Sequence, residues 1–295
     1  MVKSKSFSDI AITVVSYAIV IIMAILCLIP IINTVAISLS ATAAVSAGKV
    51  SFWPVDFTTA AYKEMMKDAQ FFRSFLNSII RVLVGGTINM VLILITAYPL
   101  SRNPRYFPQK KIYMYFLIFT MLFSGGMIPS FILVNSLNLM DTIWALVLPG
   151  AVNVTNVILM MNFFKSIPDE LNEAARIDGA SPLTTFVKIY LPLAVPGIAT
   201  ILLFTVVGHW NAFFDGMIYI NTAEKLPLQT YIQQLTAVIR DDISLSEEEM
   251  DAISKISGPT FNAAKVFVTM IPILVVYPFL QRYFVTGLVV GSVKG

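Results

Sequence analysis

Ile10 to Leu39 reads IAITVVSYAIVIIMAILCLIPIINTVAISL, thirty residues without one charged side chain. A helix rises 1.5 Å per residue, so about 20 apolar residues cross the hydrocarbon layer of a bilayer, and this run is long enough. Lys3 and Lys5 before it and the small residues from Ala41 to Ala47 after it have the order of a cleaved secretion signal. The apolar part of such a signal is only about 7–15 residues long, so the run is expected to be a retained helix.

Five further stretches repeat the pattern: 74–100 with Arg81 embedded, 112–134, 142–164, 193–220 with His209 and Asp215 in its outer half, and 264–280, whose second residue is Lys265. They predict an all-α membrane protein of six transmembrane helices. A short cytoplasmic N-terminus, residues 1–9, precedes one transmembrane domain, residues 10–295. Strands are excluded as single spans because lipid leaves their backbone groups unpaired, and the ten-residue alternation of a membrane barrel is absent. Composition agrees: of 295 residues 57% are hydrophobic and 13% charged, too apolar for an ordinary soluble domain. The net charge of +3 is small and dispersed, which argues against a nucleic-acid partner. A lone cysteine, Cys27, excludes an internal disulfide and a cysteine-built metal site, and no metal ligands are expected.

Lysine and arginine in short loops mark the cytoplasmic side. Between spans two and three lie Arg102, Arg105, Lys110 and Lys111 with no acid, whereas spans three and four are separated by a loop carrying only Asp141. The first loop is therefore expected inside, together with both termini and the segment 165–192. The connection 223–262, with Asp241, Asp242, Glu247, Glu248, Glu249 and Asp251, is expected outside. Lys49, Lys63, Lys67 and Arg73 in the first outer loop run against the rule, accompanied there by Asp56, Glu64 and Asp68.

Segment 165–192 predicts two short helices and a sharp corner. Ser166 is expected to cap the first, Pro168 to open it, and Asp169 and Glu170 to complement its N-terminal dipole. Leu171, Ala174, Ala175 and Asp178 share a face that the two alanines keep shallow. Gly179 is the expected left-handed terminator, Ser181-Pro182 start the next helix, and Pro192 ends it. Taken on local signals alone, this is equally an unremarkable amphipathic inner loop.

The spacing of Glu173-Ala174-Ala175, Gly179 and Ile189-Tyr190-Leu191-Pro192 resembles the EAA motif of importer-type ABC permeases. That resemblance implies a coupling helix docking on a cytoplasmic ATPase, with Glu173, Ala174, Ala175, Asp178 and Gly179 at the contact. Phe123-Ser124-Gly125-Gly126-Met127-Ile128-Pro129, Gly208-His209-Trp210-Asn211-Ala212-Phe213-Phe214-Asp215 and Tyr277-Pro278-Phe279-Leu280-Gln281-Arg282-Tyr283-Phe284, leading to Gly287 and Lys294-Gly295, look like maltose-type sugar permeases. Within these they resemble the subgroup for aldouronate, alginate and similar acidic oligosaccharides. The resemblance implies a heterodimer with a second permease, two ATP-binding subunits, an extracytoplasmic solute-binding protein, a saccharide substrate and a prokaryotic inner or plasma membrane. The chain lacks a G-x-x-x-x-G-K-[ST] phosphate loop, so no enzyme activity or cofactor of its own is expected; ATP and Mg belong to the partner ATPase.

A permease for another solute such as peptides shares the EAA motif and is disfavoured by Trp210, Asn211 and the tail. A secondary transporter would show an inverted repeat, and an intramembrane enzyme a paired constellation; neither is present. In span five, His209 and Asp215 are six residues apart, or about 240° on an unbroken helix, which sets them on different faces. Trp210 and Asn211 fit a sugar ring, one stacking and one bonding hydroxyls. They fit equally an interfacial aromatic and an interhelical amide.

Overall fold

The computed structural model describes residues 7–238 and 258–292. The acidic run Asp241–Asp251, Lys3, Lys5 and Lys294-Gly295 lie outside the described residues. Every regular element among those described is helical. In chain order they are α1 (Phe7–Ser38), α2 (Thr42–Ser46), α3 (Ala60–Met65), α4 (Ala69–Ser101), α5 (Lys110–Leu122), α6 (Met127–Ser136), α7 (Ile143–Val147) and α8 (Val154–Lys165). There follow α9 (Glu170–Ile177), α10 (Pro182–Leu193, with a π-helical turn at Phe186–Tyr190), α11 (Val195–Asn211), α12 (Phe214–Tyr219), α13 (Leu228–Val238) and α14 (Pro259–Ser292).

Three helices are long and apolar enough to cross a membrane by themselves: α1, α4 and α14. The third predicted span falls on a helix pair bent by 110° (α5 with α6); the fifth, 193–220, falls on α11 and α12, with an 80° bend between α10 and α11 at its start, so the count reaches five if each bent pair is one span. The fourth falls on α7 and the 12-residue α8. Local chemistry accounts for the breaks. Gly126, at φ 84°, interrupts the third stretch where a side chain would be strained. Pro149-Gly150 interrupts the fourth, and the Asn153 side chain restarts it by accepting from the Asn156 amide at 3.1 Å.

The chain forms two compact units, Met1–Ala69 with Gln234–Ile271, and Gln70–Gln233 with Pro272–Gly295. In the first unit α1 is exposed from Ile10 to Pro30. Its end is fastened to the following loop by Thr58 N–H to Leu39 O at 2.9 Å, and Ser38 Oγ meets the Tyr62 hydroxyl at 2.7 Å. Lys265, fully buried, pairs with Asp68 at 2.7 Å and lies over the Phe261 ring.

The core of the second unit joins Met90, Ile93, Ala97 and Leu100 of α4 to Val157, Met160 and Phe164 of α8, Phe186 and Tyr190 of α10, and Ile201 of α11. Asp141, at φ 59°, ties two connections together, accepting from the Asn221 and Thr222 amides, the Thr222 hydroxyl and Lys225 Nζ. The Lys225 ammonium, first, and then Thr222 hold the Asp141 carboxyl well below the usual carboxylate range. A pKa depressed by folding supplies stability above the unfolded value of about 3.9 and loses it only below, so this tie is intact at neutral pH.

Helices α8 and α11 leave no room for a side chain at Gly197, where an added Cβ would lie 2.5 Å from Phe163 Cγ. Gly197→Ala is therefore expected to destabilise the second unit by about 1–3 kcal/mol through overpacking. Thermal melting of the detergent-solubilised protein checks this; an unchanged melting temperature would show that Phe163 moves aside freely.

Candidate functional site

A cavity of about 420 Å³ lies between α4, α7, α8, α11 and α12 of the second unit. Its lining includes Arg81 and Asn89 of α4, Thr205 and His209 of α11, and Asp215 of α12. The Arg81 side chain is 3% exposed and grips Asp215 with both terminal nitrogens, Nη1 at 3.1 Å from Oδ1 and Nη2 on Oδ2. The same guanidinium donates to the carbonyls of Ala212 at 3.2 Å and Leu146 at 3.4 Å. Four buried polar atoms of residues on this lining make no hydrogen bond among the described residues: Arg81 Nε, Asn89 Oδ1, Thr205 Oγ1 and His209 Nε2. Such atoms are costly unless something polar enters to meet them. Their residues bring a guanidinium, an amide, a hydroxyl and an imidazole to one lining.

Two features bring these groups together. Gly85 lets α4 press against the imidazole, because an added Cβ there would lie 2.6 Å from His209 Cε1 and Nε2. The second corrects the expectation that His209 and Asp215 occupy different faces of one helix. Helix α11 ends at Asn211, Ala212 is extended (φ −71°, ψ 125°), and α12 restarts at Phe214. Thr230 Oγ1 holds the break by donating to Phe213 O at 2.9 Å. His209 and Asp215 consequently line one cavity.

Trp210 points elsewhere. It is 4% exposed and stands edge-on to Phe75, with ring centroids 5.6 Å apart, so it occupies an internal packing position. Asn211 is exposed, and neither residue lines the cavity. Asn89 and Thr205 were not singled out by sequence reading.

Segment 165–192 forms the expected corner with two differences. Ser166 closes α8, its hydroxyl donating to Phe163 O at 2.7 Å, instead of capping α9. Ala175, with Asn172, is buried, so Ala174 alone of the alanine pair is exposed, alongside Glu173, Asp178 and Gly179. Gly179 takes φ 75°, and Ser181 caps α10 by accepting from the Thr184 amide at 3.2 Å ahead of Pro182. Ile177, 86% exposed, and Leu183, 70% exposed, add an apolar patch that the sequence reading did not predict.

The ion pair is testable by itself. Asp215→Asn leaves a buried guanidinium without its counter-charge and is expected to cost about 3–5 kcal/mol, whereas Arg81→Met with Asp215→Leu restores part of the loss. Melting temperatures of the three proteins check this; a double variant no better than Asp215→Asn would refute charge burial as the cause.

Residues 89–290 match the family described as binding-protein-dependent transport system inner membrane component. A polygalacturonan/rhamnogalacturonan transport system permease protein of Bacillus subtilis (strain 168) is 38% identical over 279 residues, covering 95% of this chain and 96% of the relative. Protein LplC of the same organism is 39% identical over 268 residues, 91% of this chain and 90% of the relative. A chain from the crystal structure of a bacterial ABC transporter involved in the import of the acidic polysaccharide alginate aligns with a TM-score of 0.84 at 35% identity, over 95% of this chain and 99% of that one. With that extent of match, the chain belongs to the family of binding-protein-dependent transport system inner membrane components.

Proposed function

We propose that this chain is a membrane-spanning permease subunit of an ATP-binding-cassette importer for sugars or oligosaccharides. The observation that carries the reading is near-full-length similarity to a polygalacturonan/rhamnogalacturonan permease and to a chain of an alginate importer. Both of those substrates are acidic polysaccharides, which favours an acidic oligosaccharide over a peptide.

In this reading the chain crosses the membrane six times with both termini in the cytoplasm, α5 with α6, α7 with α8, and α11 with α12 each counting as one span and α10 staying on the cytoplasmic side. The basic loop around Arg102 and Arg105 and the segment 165–192 then face the cytoplasm. Exposed Glu173, Ala174, Asp178 and Gly179 form the contact for an ATP-binding subunit, with Ala175 supporting them from below. ATP and Mg are used by that partner, two copies of which serve this chain and a second permease. A solute-binding protein, named in the family description, delivers the saccharide on the opposite side.

The cavity beside the Arg81–Asp215 pair is the candidate stretch of the substrate path. Its unspent donors and acceptors match sugar hydroxyls, which both give and accept hydrogen bonds. His209 and Asp215 belong to this cavity; Trp210 supports the end of α11 by packing on Phe75, and Asn211 stands outside it.

Two experiments test the reading. With Cys27→Ser as background, Ser181→Cys is expected to react with an impermeant thiol reagent only after the membrane is opened, and Ser51→Cys in intact cells. Labelling of position 181 in intact cells would invert the topology. In proteoliposomes holding the complete importer, Asn89→Leu and Thr205→Val are each expected to lower saccharide uptake about tenfold, the equivalent of one lost hydrogen bond, while the complex still purifies. Full uptake in both variants would remove the cavity from the path, and a wild-type complex that carries no saccharide would remove the importer reading.

A further inference from the structure

A second cavity, of about 560 Å³, opens beneath the corner of segment 165–192. Its lining carries Arg102, Arg105 and Arg176 and no acidic side chain. Arg102 is buried and spent: its guanidinium donates to Ser101 Oγ, the Tyr190 hydroxyl and Phe164 O, with Asp169, outside the lining, 3.7 Å away. It contributes charge without free donors. Arg105 and Arg176 are the reverse. Both are exposed, and among the described residues neither has an acidic partner. The Arg176 guanidinium lies over the Tyr106 ring, 4.3 Å from its centroid, a contact that steadies it without spending its N–H donors.

The rim adds an apolar surface. Phe107 lines the cavity and stacks on Tyr113 of α5 at 5.5 Å. Beyond it Ile112, Tyr115 and Phe116 are 64–70% exposed, a helix face fit for hydrocarbon. An anion seated between Arg105 and Arg176 thus meets a cationic cavity at one end and a lipid-like surface at the other. Paired guanidinium forks favour phosphate oxygens, and basic pockets at the cytoplasmic ends of helices suit anionic headgroups.

We propose that this cavity binds the phosphate headgroup of an anionic phospholipid, with its acyl chains along α5. Arg105 belongs to the connection after α4 and Arg176 to α9, so the headgroup bridges the two and braces the corner against the bilayer surface. The proposal rests on the importer reading only for the choice of the cytoplasmic leaflet and for the consequence on transport.

The test uses the complete importer. Native mass spectrometry counts phosphatidylglycerol retained from phosphatidylcholine nanodiscs containing it, and saccharide uptake is followed in proteoliposomes as its fraction rises. The wild type is expected to retain the lipid and to transport several-fold faster as the fraction increases. Arg105→Gln with Arg176→Gln is expected to lose the retained lipid and the response together, while Lys111→Gln, outside the lining, keeps both. Equal retention by the double variant and the wild type overturns the proposal, as does a wild type that retains none. If inorganic phosphate added to pure phosphatidylcholine membranes reproduces the response, the site takes free phosphate and the lipid assignment falls. A complex that carries no saccharide in any lipid refutes the importer reading, and the lipid count still decides this proposal.

Discussion

A guanidinium buried to 3% exposure inside an apolar helix persists only with its charge met, and the pairing of Arg81 with Asp215 sets the arrangement around it. Desolvating such a group alone costs several kcal/mol, so the carboxylate has to be brought within bonding distance whatever else the chain does. A continuous helix from Val195 through Tyr219 would carry Asp215 round to another face. The extended Ala212 breaks that helix, and its carbonyl then accepts from the same guanidinium. One charge thereby explains the break, the separate α12, and the cavity that the break opens beside His209. Gly85 and Gly216 are the places where α4 and α12 have no room for a side chain, against His209 and Thr230 respectively.

The apolar surface follows a different constraint, that of solvent. Ile10 to Ile29 of α1 and Ile112 to Leu122 of α5 expose large hydrophobic side chains along their lengths, which water would penalise and lipid or a second apolar subunit would not. The second unit is instead knitted by aromatic rings. Tyr98, Phe164, Phe186 and Tyr190 pack with centroids 4.7–6.2 Å apart, edge to face except for the tilted Tyr98–Phe186 pair, and Arg102 lies over the Tyr190 ring at 3.9 Å. That cluster seats α10, and through it the corner at Gly179, on α4 and α8.

What could be read from sequence was local or obligatory. Gly179 and Ser181-Pro182 follow from glycine's tolerance of positive φ and from capping chemistry, both properties of a few neighbouring residues. The Arg81–Asp215 pair was obligatory: Asp215 is the one acidic residue within the six apolar stretches, so an intramembrane arginine had nowhere else to turn. An unbroken helix sets His209 and Asp215 on different faces, and that picture hides the pairing of Asp215 with Arg81. The break itself carries no glycine or proline at Ala212-Phe213; it is imposed by Thr230, seventeen residues on, and by Arg81, more than a hundred residues back. Asn89 and Thr205 were illegible for a similar reason, since a small polar residue in an apolar helix acquires meaning only when a cavity is found opposite it. Ala175 faced inward because the eight-residue α9 is held from one side by Asn172 and Ala175 together, a choice of face that the alternation of small residues leaves undecided.

The two sites are joined by one element. Arg81 and Leu100 are separated along α4 by about 29 Å at 1.5 Å per residue, so the helix that presents Arg81 and Asn89 to the cavity also delivers Tyr98 to the aromatic cluster beneath the corner. Its buried side, from Phe71 to Ser101, leaves little freedom to bend, and Pro99 sits past the last residue of the cavity lining. A force applied at Glu173 and Ala174 would enter α10 through the capped turn at Ser181 and reach α4 and α8 through packed rings. Close-packed interiors move as bodies more readily than they deform. The Arg81–Asp215 pair, which joins α4 to α12 beside the cavity, lies on that route.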